Sequence, residues 1–147
     1  MKITICGSTA FIDNMAEVAT ELEKLGHQVK FPPIEIPGPD GKTMHTSEYY
    51  ELKKSAPKDN HWLWQSHHQR IQDHFDKIDW ADSILVLNYD KNGVKNYVGP
   101  NTLIEMGVSF YLKKPVYLLN PIPDMPYAEE ILGIQPIILE GNLEKIH

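Results

Sequence analysis

The stretch Ser83-Ile-Leu-Val-Leu-Asn88 is apolar from Ile84 to Leu87, with no polar residue alternating through it. A strand with one wet face alternates; one without alternation is buried on both faces, as in parallel sheets covered by helices. Four other short runs read as strands: residues 2–6, 27–31, 115–120 and 135–139. Helical spacing lies between them. Phe11, Met15, Val18, Ala19, Leu22 and Leu25 fall on one helical face, and Gly26 follows as a C-terminal stop. Residues 61–78 predict a longer, more polar helix. Asn101 or Thr102 is expected to cap the next one, and residues 127–132 form a short fourth. Strands alternating with helices predict a three-layer α/β sandwich with five mainly parallel strands. The first strand–helix–strand is a βαβ unit and should cross over right-handed. In 147 residues, two half-units favour a flavodoxin-like order over a full Rossmann-type dinucleotide fold, within a single domain.

Residues 32–60 break this rhythm. Pro32, Pro33, Pro37, Pro39 and Pro57 crowd into them with Gly38 and Gly41. So long a connection is usually functional or mobile, and residues 46–54 could form a helix bearing Tyr49 and Tyr50. This insertion is read as a lid or pocket wall contributing Tyr49 or Tyr50. A plain surface insertion is the alternative.

Composition narrows the function. The net charge is −6 without a basic cluster, which argues against a nucleic-acid polymer as partner but not against a single nucleotide. No apolar run is long enough to span a bilayer, so no membrane partner is expected. Cys6 is the only cysteine, which suits a reducing, cytoplasmic setting, and it reads as a buried strand residue rather than a nucleophile. His67, His68 and His74 lack chelating spacing within their helix, so no metal is expected. Gly7-Ser8 matches neither GxGxxG nor a P-loop, and no cofactor is expected.

In a flavodoxin-like order the C-terminal ends of strands one, three and four meet at one crevice. The residues there would be Gly7, Ser8, Asn88, Tyr89, Asp90, Gly99, Asn101, Thr102, Glu105 and Asn120. Gly7-Ser8 offers backbone N–H groups and a hydroxyl to an anion. Glu105 is the one acid in an apolar helix of Leu103, Ile104, Met106, Val108 and Phe110. A carboxylate there is costly unless it is paired or used, although a favourable interaction with the helix N-terminus would also account for it.

Ile5-Cys-Gly-Ser8, Ala81-Asp82 before the third strand, and Gly99-Pro-Asn-Thr-Leu-Ile-Glu-Met-Gly107 together resemble the nucleoside 2-deoxyribosyltransferase-like superfamily, which includes 2'-deoxynucleoside 5'-monophosphate N-glycosidases. The resemblance covers most of the chain outside residues 32–60. It implies a nucleoside or nucleotide as small-molecule partner, and a glutamate that attacks the anomeric carbon and displaces the base. The covalent intermediate then passes to water or to a second base. Glu105 matches the nucleophile. Members often carry an aspartate shortly before it; Val98-Gly-Pro-Asn101 has none, which leaves Asp90 and Asp79 as candidate acids, while Asp82 is read as a turn cap. The tyrosine that the transferases carry in their first strand is also missing.

The family builds its sites across subunits, and Trp62, Trp64, Tyr111 and the apolar helix after Asn101 fit a homodimer or larger oligomer. A non-catalytic nucleotide-binding or sensor domain is the competing function, with Glu105 reading a ribose hydroxyl. An electron carrier of the flavodoxin kind lacks the hydroxyl-rich phosphate loop.

Overall fold

The computed structural model describes all 147 residues. Its main sheet has five parallel strands: β1 (Lys2–Gly7), β2 (Gln28–Lys30), β5 (Ser83–Leu87), β6 (Val116–Leu118) and β7 (Ile137–Ile138), in the order β2-β1-β5-β6-β7. This is the flavodoxin-like order expected from the sequence. The central strand is β5, whose five residues are all buried. Register runs from Ile3 beside Ser83 to Gly7 beside Leu87, so β1 and β5 end together at one edge.

The two sheet faces carry separate cores. Leu85 and Leu87 point to one face with Ile3 and Ile5, against Met15, Val18 and Leu22 of α1 (Ile12–Lys24). Ile84 and Val86 point to the other with Cys6, against Ile78 of α3 (His61–Trp80), Met106 of α4 (Pro100–Tyr111) and Ile131 of α5 (Ala128–Ile134). Period-two alternation on a strand clothed on both sides gives the three layers.

Edge strands are shorter than their apolar runs suggest. Gln135, expected to open the last strand, adopts φ 56° as the left-handed cap that ends α5, so pairing begins only at Ile137. The start of α4 also differs. Gly99 is its N-cap and Pro100 its first residue, where a missing N–H costs nothing. Neither Asn101 nor Thr102 caps it.

Residues 32–60 carry a hairpin that the sequence reading missed. Strands β3 (Glu35–Pro37) and β4 (Thr43–His45) pair antiparallel, and α2 (Thr46–Ser55) follows. Two prolines and three-residue strands leave too little alternation for a local reading. Ile36, Tyr49 and Leu63 form a third small core, with Trp62 and Trp64 packed on it. The Trp62 ring meets Tyr49 edge-on at 6.4 Å, and Trp64 Nε1 donates to the Pro57 carbonyl at 3.1 Å. The tryptophans offered above as subunit surface are thus partnered by the insertion. Exposed apolar groups on α4 remain: Ile104, Phe110 and Tyr111, the last 82% exposed. No helix is long and apolar enough to cross a membrane.

Candidate active site

A cavity of about 450 Å³ opens where β1 ends, between α2, α3 and α4. Its floor is made by Glu105 and His74. Glu105 lies in the second turn of α4, on the side that packs toward α3, and its side chain is 13% exposed. His74 Nε2 sits 3.0 Å from Glu105 Oε2 and 3.3 Å from Cys6 Sγ. The contact with Oε2 is close but poorly aligned as a hydrogen bond, and that oxygen has no other partner. Cys6 is fully buried behind the pair. Its thiol is pushed well above the ordinary range, by burial first and then by the Glu105 charge.

Four buried side-chain polar atoms have no hydrogen-bond partner in the protein: Tyr49 Oη, Arg70 Nε, His74 Nδ1 and Glu105 Oε2. All four residues line this cavity. Unpartnered buried groups are costly and rare, and their collection around one space marks it as a place for a ligand.

Much of the remaining lining is cationic. At the β1 turn, Gly7 has φ 152°, and a Cβ there would lie 2.9 Å from the Leu87 carbonyl oxygen, so only glycine lets the two strand ends approach. Lys91 Nζ, from the loop after β5, donates to Ser8 Oγ at 2.7 Å and to Tyr50 Oη at 2.5 Å. Lys53 and Lys77 line the cavity as well, and none of these three ammonium groups is in an ion pair. Burial, then Lys91, lowers the Lys53 pKa; burial lowers that of Lys77. His67 is lowered by burial and then by Lys53. Arg70, by contrast, holds the carboxylate of Asp73 at 3.3 Å. Lys53, Arg70, Lys77 and Lys91 thus outnumber Asp73 and Glu105 within a chain of net charge −6.

Of the residues expected at the site, Gly7, Ser8, Tyr49, Gly99, Asn101, Thr102 and Glu105 line this cavity. Asn88, Tyr89, Asn120, Asp90 and Asp79 do not. Asn88 is buried and brackets two strand ends: its Oδ1 accepts from Asn120 N at 2.8 Å, and its Nδ2 donates to the Asn120 carbonyl at 3.0 Å. Tyr89 turns to Phe11, ring centroids 5.2 Å apart. Asp90 is exposed and accepts from Asn96 N at 2.9 Å, which folds its own loop. Asp79 is exposed at the far end of α3, because that helix runs back to the strand starts before β5 begins. Asp82 lies there too, and accepts from Lys2 N at 2.7 Å rather than capping a turn.

Residues that sequence reasoning missed are His74, Lys53, Arg70, Lys77 and Lys91. Cys6 and His74 are 68 positions apart and Ser8 and Lys91 are 83 apart, so no spacing signal could pair them. An apolar-side histidine among polar neighbours on α3 was the one local hint.

No protein-family model matches the chain, and no curated protein sequence matches it either. Similar solved structures include a 2-deoxyribosyltransferase from Bacillus psychrosaccharolyticus, at 22% identity over 82% of this chain and 73% of that one, TM-score 0.47. A CMP N-glycosidase, BcmB, from Clostridium botulinum shares 14% over 94% and 85%, TM-score 0.49. The flavoenzyme NAD(P)H:acceptor oxidoreductase FerB from Paracoccus denitrificans shares 11% over 93% and 74%, TM-score 0.43. One such sandwich hosts unrelated chemistries, so the function of this chain rests on its own site.

Proposed function

We propose that the protein cleaves or transfers at the N-glycosidic bond of nucleosides or nucleoside 5'-monophosphates, with Glu105 as nucleophile. One observation carries the reading: a single cavity is lined both by a buried carboxylate oxygen without a hydrogen-bond partner and by ammonium groups outside any ion pair. The Gly-Pro-Asn-Thr-Leu-Ile-Glu-Met-Gly resemblance supplies the reaction type. In the forward step a Glu105 oxygen bonds to C1' while the C1'–N bond breaks. Positive charge that builds on the sugar is offset by the carboxylate. His74 takes the acid role that Asp90 and Asp79 are not placed to fill. Its Nε2–H can pass a proton to the departing base as the Glu105 charge is spent in the new ester. Water or a second base then attacks C1' and gives its proton to His74 as the bond from C1' to the Glu105 oxygen breaks, and the carboxylate returns.

A phosphate on the substrate follows from charge. Ser8, Lys91 and Lys53 present a hydroxyl and two cations lacking carboxylate partners, which favours a dianion over a neutral 5'-hydroxyl. We also propose that the exposed stripe of Ile104, Phe110 and Tyr111 joins copies of the chain, which a solution mass measurement tests.

The central experiment is a screen of nucleosides and 5'-monophosphates for free-base release, with and without an acceptor base. Release abolished by Glu105→Gln is the expected result. Tight binding without release would instead make the protein a nucleotide-binding domain.

A further inference from the structure

We propose that Cys6, His74 and Glu105 form a binding site for a thiophilic divalent cation of the zinc type. One ligand atom from each of Cys6, His74 and Glu105 lies within 4.8 Å of the other two. They come from three elements, β1, α3 and α4, so the cluster is a product of the packed sandwich and not of one loop. The donor set is thiolate, imidazole and carboxylate, a mixture that suits Zn²⁺ over Mg²⁺ or Ca²⁺.

The two separations that His74 makes fit with little movement. Tetrahedral zinc, with bonds of ~2.3 Å to sulfur and ~2.0 Å to nitrogen or oxygen, separates a sulfur and a nitrogen ligand by ~3.5 Å and a nitrogen and an oxygen ligand by ~3.3 Å. The corresponding separations here are 3.3 Å and 3.0 Å. Spreading each by a few tenths of an ångström makes room for the ion. Only three side chains are supplied, and the cavity borders His74 and Glu105, so a fourth position opens toward it and gives the ion a way in.

Charge supports the same assignment. A thiolate, a carboxylate and a neutral imidazole around a dication sum to zero, the least costly total in a buried place. Binding ionises the Cys6 thiol, and its proton leaves to solvent through the cavity. The Glu105 oxygen with no aligned partner gains one. An ion there occupies the same carboxylate that the proposed reaction needs at C1'. It therefore acts as an inhibitor, and this consequence alone rests on the glycosidase reading.

Co²⁺ is the probe, because thiolate ligation gives it an intense near-ultraviolet charge-transfer band. Cys6 is the only cysteine, so such a band can come from no other side chain. Titration of the full chain should show the band saturating at one equivalent, with loss of the band on adding Zn²⁺ or a chelator. Cys6→Ser should abolish it, with unchanged far-ultraviolet dichroism showing that the variant folds; His74→Gln should weaken it at least tenfold in affinity. Co²⁺ bound without a band, or no binding at micromolar metal, would overturn the site. Where base release is measurable, one equivalent of Zn²⁺ should stop it and a chelator restore it. A band in a protein that releases no base would keep the metal site and remove the glycosidase reading; release with no band would do the reverse.

Discussion

At the floor of the cavity, Cys6, His74 and Glu105 stand on β1, α3 and α4, inside the core of the sandwich. In the wall that Lys91 ties together, Ser8 and Lys91 belong to loops at the strand ends, and Tyr50 and Lys53 to the inserted helix α2. The floor is nine-tenths buried and fixed by packing on the sheet. The wall is half-buried, cationic and assembled from connections. A reacting group benefits from the first kind of support, since small displacements are costly to chemistry. Recognition of a phosphate tolerates the second, since charge attraction falls off gradually with distance. On the proposed function, the fold would separate chemistry from recognition by the kind of element that bears each.

The largest effect should come from the floor. Glu105→Gln keeps the shape and removes the charge. Turnover should fall by at least about 3 kcal/mol, roughly a hundredfold, while monophosphate affinity measured by calorimetry survives. Loss of affinity with unchanged turnover would reverse the roles assigned to the two ends. His74→Gln should lower turnover by roughly ten- to a hundredfold, and by less for substrates whose leaving group needs no proton, because the proton donor is gone. An equal loss on both kinds of substrate would leave His74 a packing residue.

The wall should respond differently. Lys91→Ala removes a charged donor, so kcat/KM for monophosphates should fall about tenfold, with nucleosides hardly affected. Ser8→Ala should narrow the same gap by less. Equal rates on nucleosides and monophosphates in the parent protein would dissolve the distinction between the two ends.

The smallest effect is one of pH. Burial, and Lys91 beside it, lower the Lys53 pKa. Between that lowered value and the ordinary lysine range, the unfolded chain binds more protons than the folded one, so the Lys53 contribution to stability rises with pH. The charge it offers to phosphate falls over the same window. Lys53→Met should slightly raise the melting temperature near neutral pH and weaken monophosphate binding. It should also reduce the loss of binding at alkaline pH, read by titration at several pH values. A destabilised variant would mean that Lys53 packs as a structural stem.

Much of the molecule was legible in the sequence because it rests on local rules. The unbroken apolar run from Ile84 to Leu87 required a strand covered on both faces. The spacing from Phe11 to Leu25 required a helix, and the alternation of the two left few topologies open. Glu105, alone among apolar residues at a helix start, and Gly7-Ser8 after the first strand were visible for the same reason. The hairpin of β3 and β4 was not, since its pairing depends on contacts with α2 and α3 rather than on its own pattern.

Which groups face Glu105 was decided only by tertiary structure. Periodicity tells which side of α3 is buried, but not that His74 on that side lands beside Cys6 and Glu105. That depends on α3 and α4 lying next to each other on one face of the sheet, with β1 beneath them. Lys91 reaches Ser8 by the same route, because the ends of β1 and β5 are neighbours in the sheet although distant in the chain. A local window carries conformation and burial; proximity between elements is set by strand order and helix packing, which act over the whole chain at once.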